Sequence, residues 1–204
     1  MPGSRQVPLN IEWPEQPAEN FYQEGLMSDS STPNLTAIQR KAIMPALRIL
    51  PGEMNSPAAR VLLLAIGLQE SGFVTREQYG GGPARGYWQF EQGTEASHGG
   101  VWGVYLHPAS SGPLQHVCKR RRVPFDPVAI YNELELDDVL AAAVARLLMY
   151  TDPYPLPDTD DQKGGWDLYA VRTWRPGQPR PDDWPANFEQ GQNIVSPDTS
   201  DCSP

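Results

Sequence analysis

The chain has 204 residues, enough for one ordinary domain, and 25 Asp and Glu against 16 Lys and Arg. Its formal charge of −9 disfavours general attraction to nucleic acid, anionic membranes or anionic wall polymers, so we expect no nucleic-acid reading. No segment has the roughly 20 consecutive apolar residues of a membrane span, and residues 1–17 lack the apolar core of a signal peptide.

Proline is concentrated at the two ends of the chain. Five prolines fall within residues 1–33, and nine fall within residues 151–204. Such composition favours extended or irregular chain over packed helices. We therefore predict an N-terminal arm over residues 1–33, a folded domain over residues 34–179 and a C-terminal tail over residues 180–204. Single aromatic side chains in both arms are candidates for docking on the domain or on a partner.

The first two predicted helices follow from capping and proline signals. Asn34 is suited to cap a helix that Pro45 then breaks or kinks. A Ser-Pro pair before the second helix and a glycine after it supply an N-cap, a first-turn proline and a C-terminal stop. These signals bound a helix over residues 57–71.

Two more helices and one strand complete the predicted domain. The stretch over residues 137–150 begins with acidic residues, which complement the helix dipole, and ends before an Asp-Pro pair. A shorter helix is predicted over residues 166–174. The best strand candidate is Tyr-Trp-Gln-Phe-Glu at residues 87–91. The predicted fold class is mainly α with a small β element, flanked by irregular Pro-rich arms.

A candidate acid lies at the end of the helix over residues 57–71. Helical spacing places Glu70 beside Ile66 and Leu63, on an apolar side, and Gly67 leaves space there for a ligand. Desolvation and the negative end of the helix dipole should both raise the pKa of this carboxyl. A glycosidic leaving group needs such a protonated acid. The alternative is a glutamate that only marks the helix end.

The candidate strand offers polar groups to a cleft. Strand alternation would send its tryptophan and phenylalanine into the core. An aromatic edge, an amide and a carboxylate would face the cleft, from Tyr87, Gln89 and Glu91. Glu91 is then the obvious candidate for a second carboxylate. The glycines at positions 80–82 and 86 permit a turn and a close approach of ligand to backbone.

Four short motifs occur in a fixed order along the chain. They are Gln-Glu-Ser at 69–71, Gly-Pro-Ala-Arg-Gly-Tyr-Trp-Gln-Phe-Glu at 82–91, Gly-Val and His-Pro within 103–108, and Trp-Arg-Pro-Gly at 174–177. This set resembles the lysozyme-like domain shared by soluble lytic transglycosylases and goose-type lysozymes. It resembles more closely the lysozyme-like proteins of tailed bacteriophages, over roughly two thirds of the chain.

The resemblance implies roles for individual residues. Glu70 would be the catalytic acid, Ser71 would orient it or touch the sugar, and Gln89 would hydrogen-bond the substrate. The transglycosylase families also carry an Ala-Tyr-Asn-x-Gly element late in the domain. Its nearest counterpart here, residues 170–177, has no Tyr-Asn pair. Whether water or a sugar hydroxyl captures the intermediate therefore stays open.

Three residues near this element are further candidates for substrate binding: Tyr169, Thr173 and Trp174. Tyr169 and Trp174, together with the nearby Trp166, suit core packing and sugar stacking equally well. The three histidines are nine residues apart, a spacing that fits no metal motif. We expect neither a metal nor a cofactor.

The expected function is cleavage of the MurNAc–GlcNAc bond of peptidoglycan by a phage-encoded lytic transglycosylase or muramidase. We expect it to be made in the host cytoplasm without a signal peptide and carried in the virion for genome entry. Its partners would be glycan strands and, through the arms, other virion proteins. The expected lack of a signal peptide agrees almost as well with an endolysin. The alternative is a non-enzymatic lysozyme-like component of a phage tail or internal capsid.

Overall fold

The computed structural model describes residues 33–78 and 80–195, and over these residues the protein is mainly helical. In chain order the helices are α1 (35–49), α2 (Pro57–Ser71), α3 (Gly100–Leu106), α4 (Pro108–Arg121), α5 (Pro127–Glu133), α6 (Asp138–Tyr150), α7 (162–173) and α8 (Trp184–Val195). A 3-10 turn, Gly52–Met54, joins α1 to α2. No helix among the described residues combines the length and the hydropathy needed to cross a membrane.

Helix α2 is the centre of the core. Every residue from 61 to 69 is buried, so this helix is covered on all sides. Its bounds agree with the prediction, because Ser56 accepts a hydrogen bond from the Ala59 N–H and Gly72 ends the helix with a left-handed φ of +62°. Helix α6, capped by Asp137, is the second buried helix and also agrees with the prediction.

Helix α1 continues past Pro45 instead of breaking there. It starts as an α-helix capped by Asn34, widens to a π-helix over Gln39–Ile43, and returns to an α-helix over Met44–Ile49. Proline has no N–H to bond the carbonyl four residues earlier, and its ring crowds that carbonyl. The wider segment ends at Ile43, two residues before Pro45, and accommodates the proline without ending the helix.

Part of the predicted C-terminal tail is helical, so the prediction of irregular chain is wrong for that part. Helix α8 packs along α2, with Trp184 and Phe188 buried. The two helices approach closely, since a Cβ placed at Gly191 would lie 2.8 Å from the carbonyl oxygen of Val61. Residues 1–32 of the predicted N-terminal arm and residues 196–204 of the tail lie outside the described residues.

The small β element predicted at residues 87–91 is not seen. Among the described residues there are only two isolated bridges, from Arg85 to Glu77 and to Phe90. Arg85 and Phe90 exchange backbone hydrogen bonds of 2.9 Å, which closes residues 85–90 into a tight turn. Positive φ angles at Gly86 and Gln89 reverse the chain inside this turn, so an extended strand does not form.

Candidate active site

A cleft of about 720 Å³ opens beside the C-terminal end of α2. Its walls come from six parts of the chain. They are the end of α2, residues 75, 78 and 84 of the loop that follows it, residues 89–91 at the end of the tight turn, residues 98–100 at the start of α3, Leu148 of α6, and residues 173–180 from the end of α7 onward. The cleft therefore forms where distant segments meet, and Glu70 lies in its wall.

Glu70 is a largely buried carboxyl with one hydrogen-bond donor. The hydroxyl of Tyr169 donates to its Oε1 at 2.8 Å, and no described residue donates to Oε2. Burial raises the pKa of Glu70 from 4.5 to about 7, while the Tyr169 hydrogen bond and the positive charge of Arg180 act in the opposite direction. The raised pKa expected from desolvation is thus present in the structure. Near neutral pH this group can both give and take a proton.

Tyr169 is held rigidly against Glu70. It lies in the π-helical part of α7, is 2 % exposed, and stacks on Trp184 with 5.5 Å between ring centroids and 3° between ring planes. The rings of Trp166 and Tyr169 meet edge to face, with 5.6 Å between their centroids. Burial and the neighbouring carboxyl both raise the pKa of the Tyr169 hydroxyl, so it acts as a donor. Core packing and contact with the acid are combined in this one residue.

A polar clamp fixes the chain after α7 to the end of α2. The clamp consists of Gln69, Arg180 and Asn187. The Gln69 side chain, 2 % exposed, donates to the Arg180 carbonyl at 2.8 Å and accepts from Asn187 Nδ2 at 2.9 Å. The Arg180 guanidinium in turn donates to the Gln69 carbonyl. Sequence analysis missed this clamp, although a glutamine in an otherwise apolar buried helix requires partners.

Ser71 lies in the cleft wall beside Glu70, whereas Tyr87 does not. The Ser71 hydroxyl donates to the Tyr87 carbonyl at 2.7 Å and accepts from the Phe73 N–H at 3.1 Å. It therefore ties the tight turn to α2 rather than orienting Glu70. Tyr87 is buried, with Arg76 lying 4.2 Å above its ring, and it does not line the cleft.

Gln89 and Glu91 do line the cleft, as predicted, but from a turn rather than a strand. Gln89 has a φ of +48°, and its side-chain amide donates to the Gly86 carbonyl at 2.9 Å. Glu91 is exposed. Trp88, which precedes Gln89, and Phe90, which lies between Gln89 and Glu91, are buried as expected.

Thr173 and Trp174 also lie in the cleft wall, at the end of α7 and directly after it. The Thr173 hydroxyl donates to the Leu168 carbonyl at 2.6 Å, which keeps it within α7. The indole N–H of Trp174 donates to the Trp88 carbonyl at 3.1 Å, and its ring packs on Phe90 at 5.7 Å. Trp174 thus connects α7 to the tight turn while one part of it borders the cleft.

The space beside Gly67 is filled by protein. A Cβ at Gly67 would lie 2.1 Å from the ring of Phe73, so the phenyl group occupies the position that the sequence analysis assigned to a ligand. Phe73 has a φ of +56° and follows the helix stop, which folds its ring back onto α2. The glycine therefore serves the packing that buries the end of α2.

Within the described residues, no group of three or more His, Cys, Asp or Glu side chains is placed to hold a metal ion. Comparison with known proteins leaves the site to be interpreted from its own geometry. No family model, no curated protein and no solved structure matches this chain.

Proposed function

We propose that the protein is a lysozyme-like glycosidase that cleaves the MurNAc–GlcNAc bond of peptidoglycan, as a lytic transglycosylase or a muramidase. The observation that supports this most strongly is the state of Glu70. A carboxyl with a pKa of about 7, in the wall of a cleft and with one oxygen that receives no donor from the described residues, has the properties of a glycosidic general acid.

In the proposed reaction, protonated Glu70 gives its proton to the glycosidic oxygen as the C1–O bond breaks. Positive charge develops at the sugar carbon, and Glu70 becomes a carboxylate. The Tyr169 hydroxyl at 2.8 Å and the charge of Arg180 favour that ionised form. Glu70 then accepts a proton from the muramic C6 hydroxyl, giving a 1,6-anhydro product, or from a water molecule, giving a reducing end.

Four other residues are proposed to contact the glycan: Gln89, Glu91, Thr173 and Trp174. All four border the same cleft as Glu70. The exposed part of the Trp174 ring suits stacking on a sugar face, and the Gln89 amide suits hydrogen bonding to hydroxyl or acetamido groups. Ser71 also borders the cleft, with its hydroxyl bonded to the tight turn, and we propose no direct sugar contact for Tyr87, which is buried and does not line the cleft.

The proposed setting is a phage particle that carries the enzyme to the host wall. The support is the resemblance of the ordered motifs to phage lysozyme-like proteins, together with the acidic charge and Pro-rich ends of the chain. In this setting the ends of the chain would dock on other virion proteins. The competing proposal is a lysozyme-like module that serves only in particle structure.

The decisive experiment is mass spectrometry of the soluble products released from purified peptidoglycan. Wild type should release muropeptides, and Glu70→Gln should reduce their release by at least about 10²-fold, because the general acid is lost. Glu189→Gln, an exposed carboxyl on α8, is the matched control and should leave release unchanged.

The outcomes separate the candidate functions. Anhydromuropeptides that disappear in Glu70→Gln would identify a lytic transglycosylase, and reducing-end products would identify a muramidase. Product release that persists in a folded Glu70→Gln variant would refute the proposed acid. No products from folded wild type would favour the structural module. That module should then appear as a component of purified particles whose infectivity survives Glu70→Ala.

A further inference from the structure

A second cavity of about 610 Å³ shares no lining residue with the cleft around Glu70. It lies where the end of α6 and residues 151–156 meet the turn before α2 and the start of α4. The proposed glycosidase reaction makes no use of it.

Arg146 is the unusual group in the wall of this cavity. The residue is only 4 % exposed, and its Nε donates to the Met54 carbonyl at 3.0 Å. Its Nη1 is buried and finds no hydrogen-bond acceptor among the described residues. Within the same part of the chain no carboxylate forms an ion pair with it, and the ring of Tyr150 is 5.7 Å away.

This arrangement costs folding free energy. Burial lowers the pKa of Arg146 to about 10, so the guanidinium still carries its charge at neutral pH. A buried charge without a counter-ion is among the most destabilising features that a core can contain. A leucine or methionine would fill this position without that cost. An anion that reached this guanidinium would supply the missing counter-charge.

The rest of the cavity wall limits the charge of that anion. Asp152 is already paired with Arg172 at 2.8 Å. Glu53 is exposed at the border of the cavity, and its negative charge disfavours a multiply charged group such as phosphate. The amino end of α4 offers little more, because the Ala109 N–H already bonds to His107 Nδ1 at 3.2 Å.

The remaining wall is aromatic and aliphatic. Tyr150 and Tyr154 present exposed ring surface, with 38 % and 65 % of each residue accessible, beside two prolines and Leu156. Such a surface binds an apolar or aromatic body, while a planar guanidinium binds a carboxylate through N–H donors.

We propose that this cavity binds a single carboxylate carried on an apolar or aromatic body, with Arg146 as the residue that pairs with the carboxylate. The proposal does not rest on the glycosidase function. Two sources have this chemistry, a small free carboxylic acid and a carboxylate side chain of a polypeptide.

The test is calorimetric titration of the full-length chain with N-acetylphenylalanine. We expect saturable binding of the acid and none of its uncharged amide. Arg146→Met should weaken binding at least about tenfold, because a charge-assisted hydrogen bond is lost. Arg120→Met, on the exposed end of α4, is the matched control and should bind as wild type does.

A second variant and a second probe complete the test. Tyr154→Ala removes an exposed ring, so it should weaken binding without unfolding the protein. A terminally blocked peptide with one internal glutamate distinguishes the sources, since tighter binding of this peptide would identify a polypeptide side chain. Absence of binding by both probes, equal binding of the amide, or unchanged binding by folded Arg146→Met would overturn the proposal.

Discussion

The two cavities each contain one buried ionisable group, and the two groups respond to burial differently. Glu70 can lose its charge by taking up a proton, and its pKa moves to about 7. Arg146 has a much higher intrinsic pKa, so burial lowers it only to about 10 and the charge persists. The same desolvation therefore leaves a carboxyl that titrates near neutral pH in one cavity and a charged guanidinium in the other.

The partners of the two groups differ in the same sense. Tyr169 and Arg180 support the ionised form of Glu70. For Arg146 the described residues supply a carbonyl to one nitrogen and leave another without an acceptor. Within the described residues, protein groups thus support the ionised form of Glu70, whereas one N–H group of Arg146 has no acceptor.

The largest expected effect is on the pH dependence of stability. Because the pKa of Glu70 rises from 4.5 when unfolded to about 7 when folded, ionisation favours the unfolded chain between these values. The stability that the neutral carboxyl confers is complete below about pH 4.5 and is lost as pH rises to about 7. Urea unfolding of wild type should show a loss of free energy of unfolding on the order of 3 kcal/mol between pH 5 and pH 8. Glu70→Gln should not show this loss.

Arg146→Met is the control for that measurement. Since the guanidinium does not titrate between pH 5 and pH 8, this variant should differ from wild type equally at both values. If Glu70→Gln kept the pH dependence of wild type, the burial assigned to Glu70 would be wrong.

The next effect concerns the packing that buries the end of α2. Gly67→Ala places a methyl group 2.1 Å from the Phe73 ring and should destabilise the protein by about 1–3 kcal/mol. Alanine is normally the better helix former, so the sign of the change reports the contact. Thermal unfolding beside Gly52→Ala, where a Cβ meets nothing within 4 Å, provides the comparison. Equal melting temperatures for both variants would show that Phe73 does not fill this space.

A smaller effect is expected from Tyr169→Phe. The ring keeps its stacking on Trp184, but Glu70 loses its only protein donor among the described residues. The pKa of Glu70 should rise further, because a hydrogen bond to the ionised form is gone. Carboxyl ¹³C NMR titration measures this directly, and the basic limb of any activity profile should move to higher pH. An unchanged or lower pKa would contradict the assigned hydrogen bond.

The smallest effect is expected from Arg180→Met. The positive charge of Arg180 lowers the pKa of Glu70, but 57 % of the side chain is exposed and solvent screens it. The variant should show a slightly higher pKa for Glu70, and Arg180→Lys should remain near wild type. High salt should reduce the difference between Arg180→Met and wild type. A difference that salt does not change would indicate a structural cause, through the clamp.

Local signals were sufficient for the helices that carry the site. Ser56, the proline after it and Gly72 bound α2, and the spacing of apolar residues places Glu70 at its buried end. The pKa of Glu70 follows from that position. Helices α3, α4 and α5 were not predicted from the sequence, because α3 and α5 have only seven residues each and α4 is largely polar with Gly and Pro in its interior.

The errors come from contacts between distant residues. Alternation in residues 87–91 suggested a strand, but the positive φ of Gln89 and the bonds between Arg85 and Phe90 make a turn. Helix α8 was missed since proline and polar residues dominate its surroundings, while its burial depends on α2. The contact of Tyr169 with Glu70 joins residues 99 positions apart, which no local pattern encodes.

The clamp has a consequence for the order in which the molecule is completed during synthesis. Gln69 bonds to Arg180 and Asn187, and Tyr169 stacks on Trp184, so the surroundings of Glu70 depend on residues that follow α7 in the chain. A nascent chain that has reached only α7 has α2 but lacks the segment that encloses its carboxyl end. Glu70 would acquire its near-neutral pKa only after α8 docks, so the acidity of this carboxyl depends on a segment that is synthesised well after the helix that carries it.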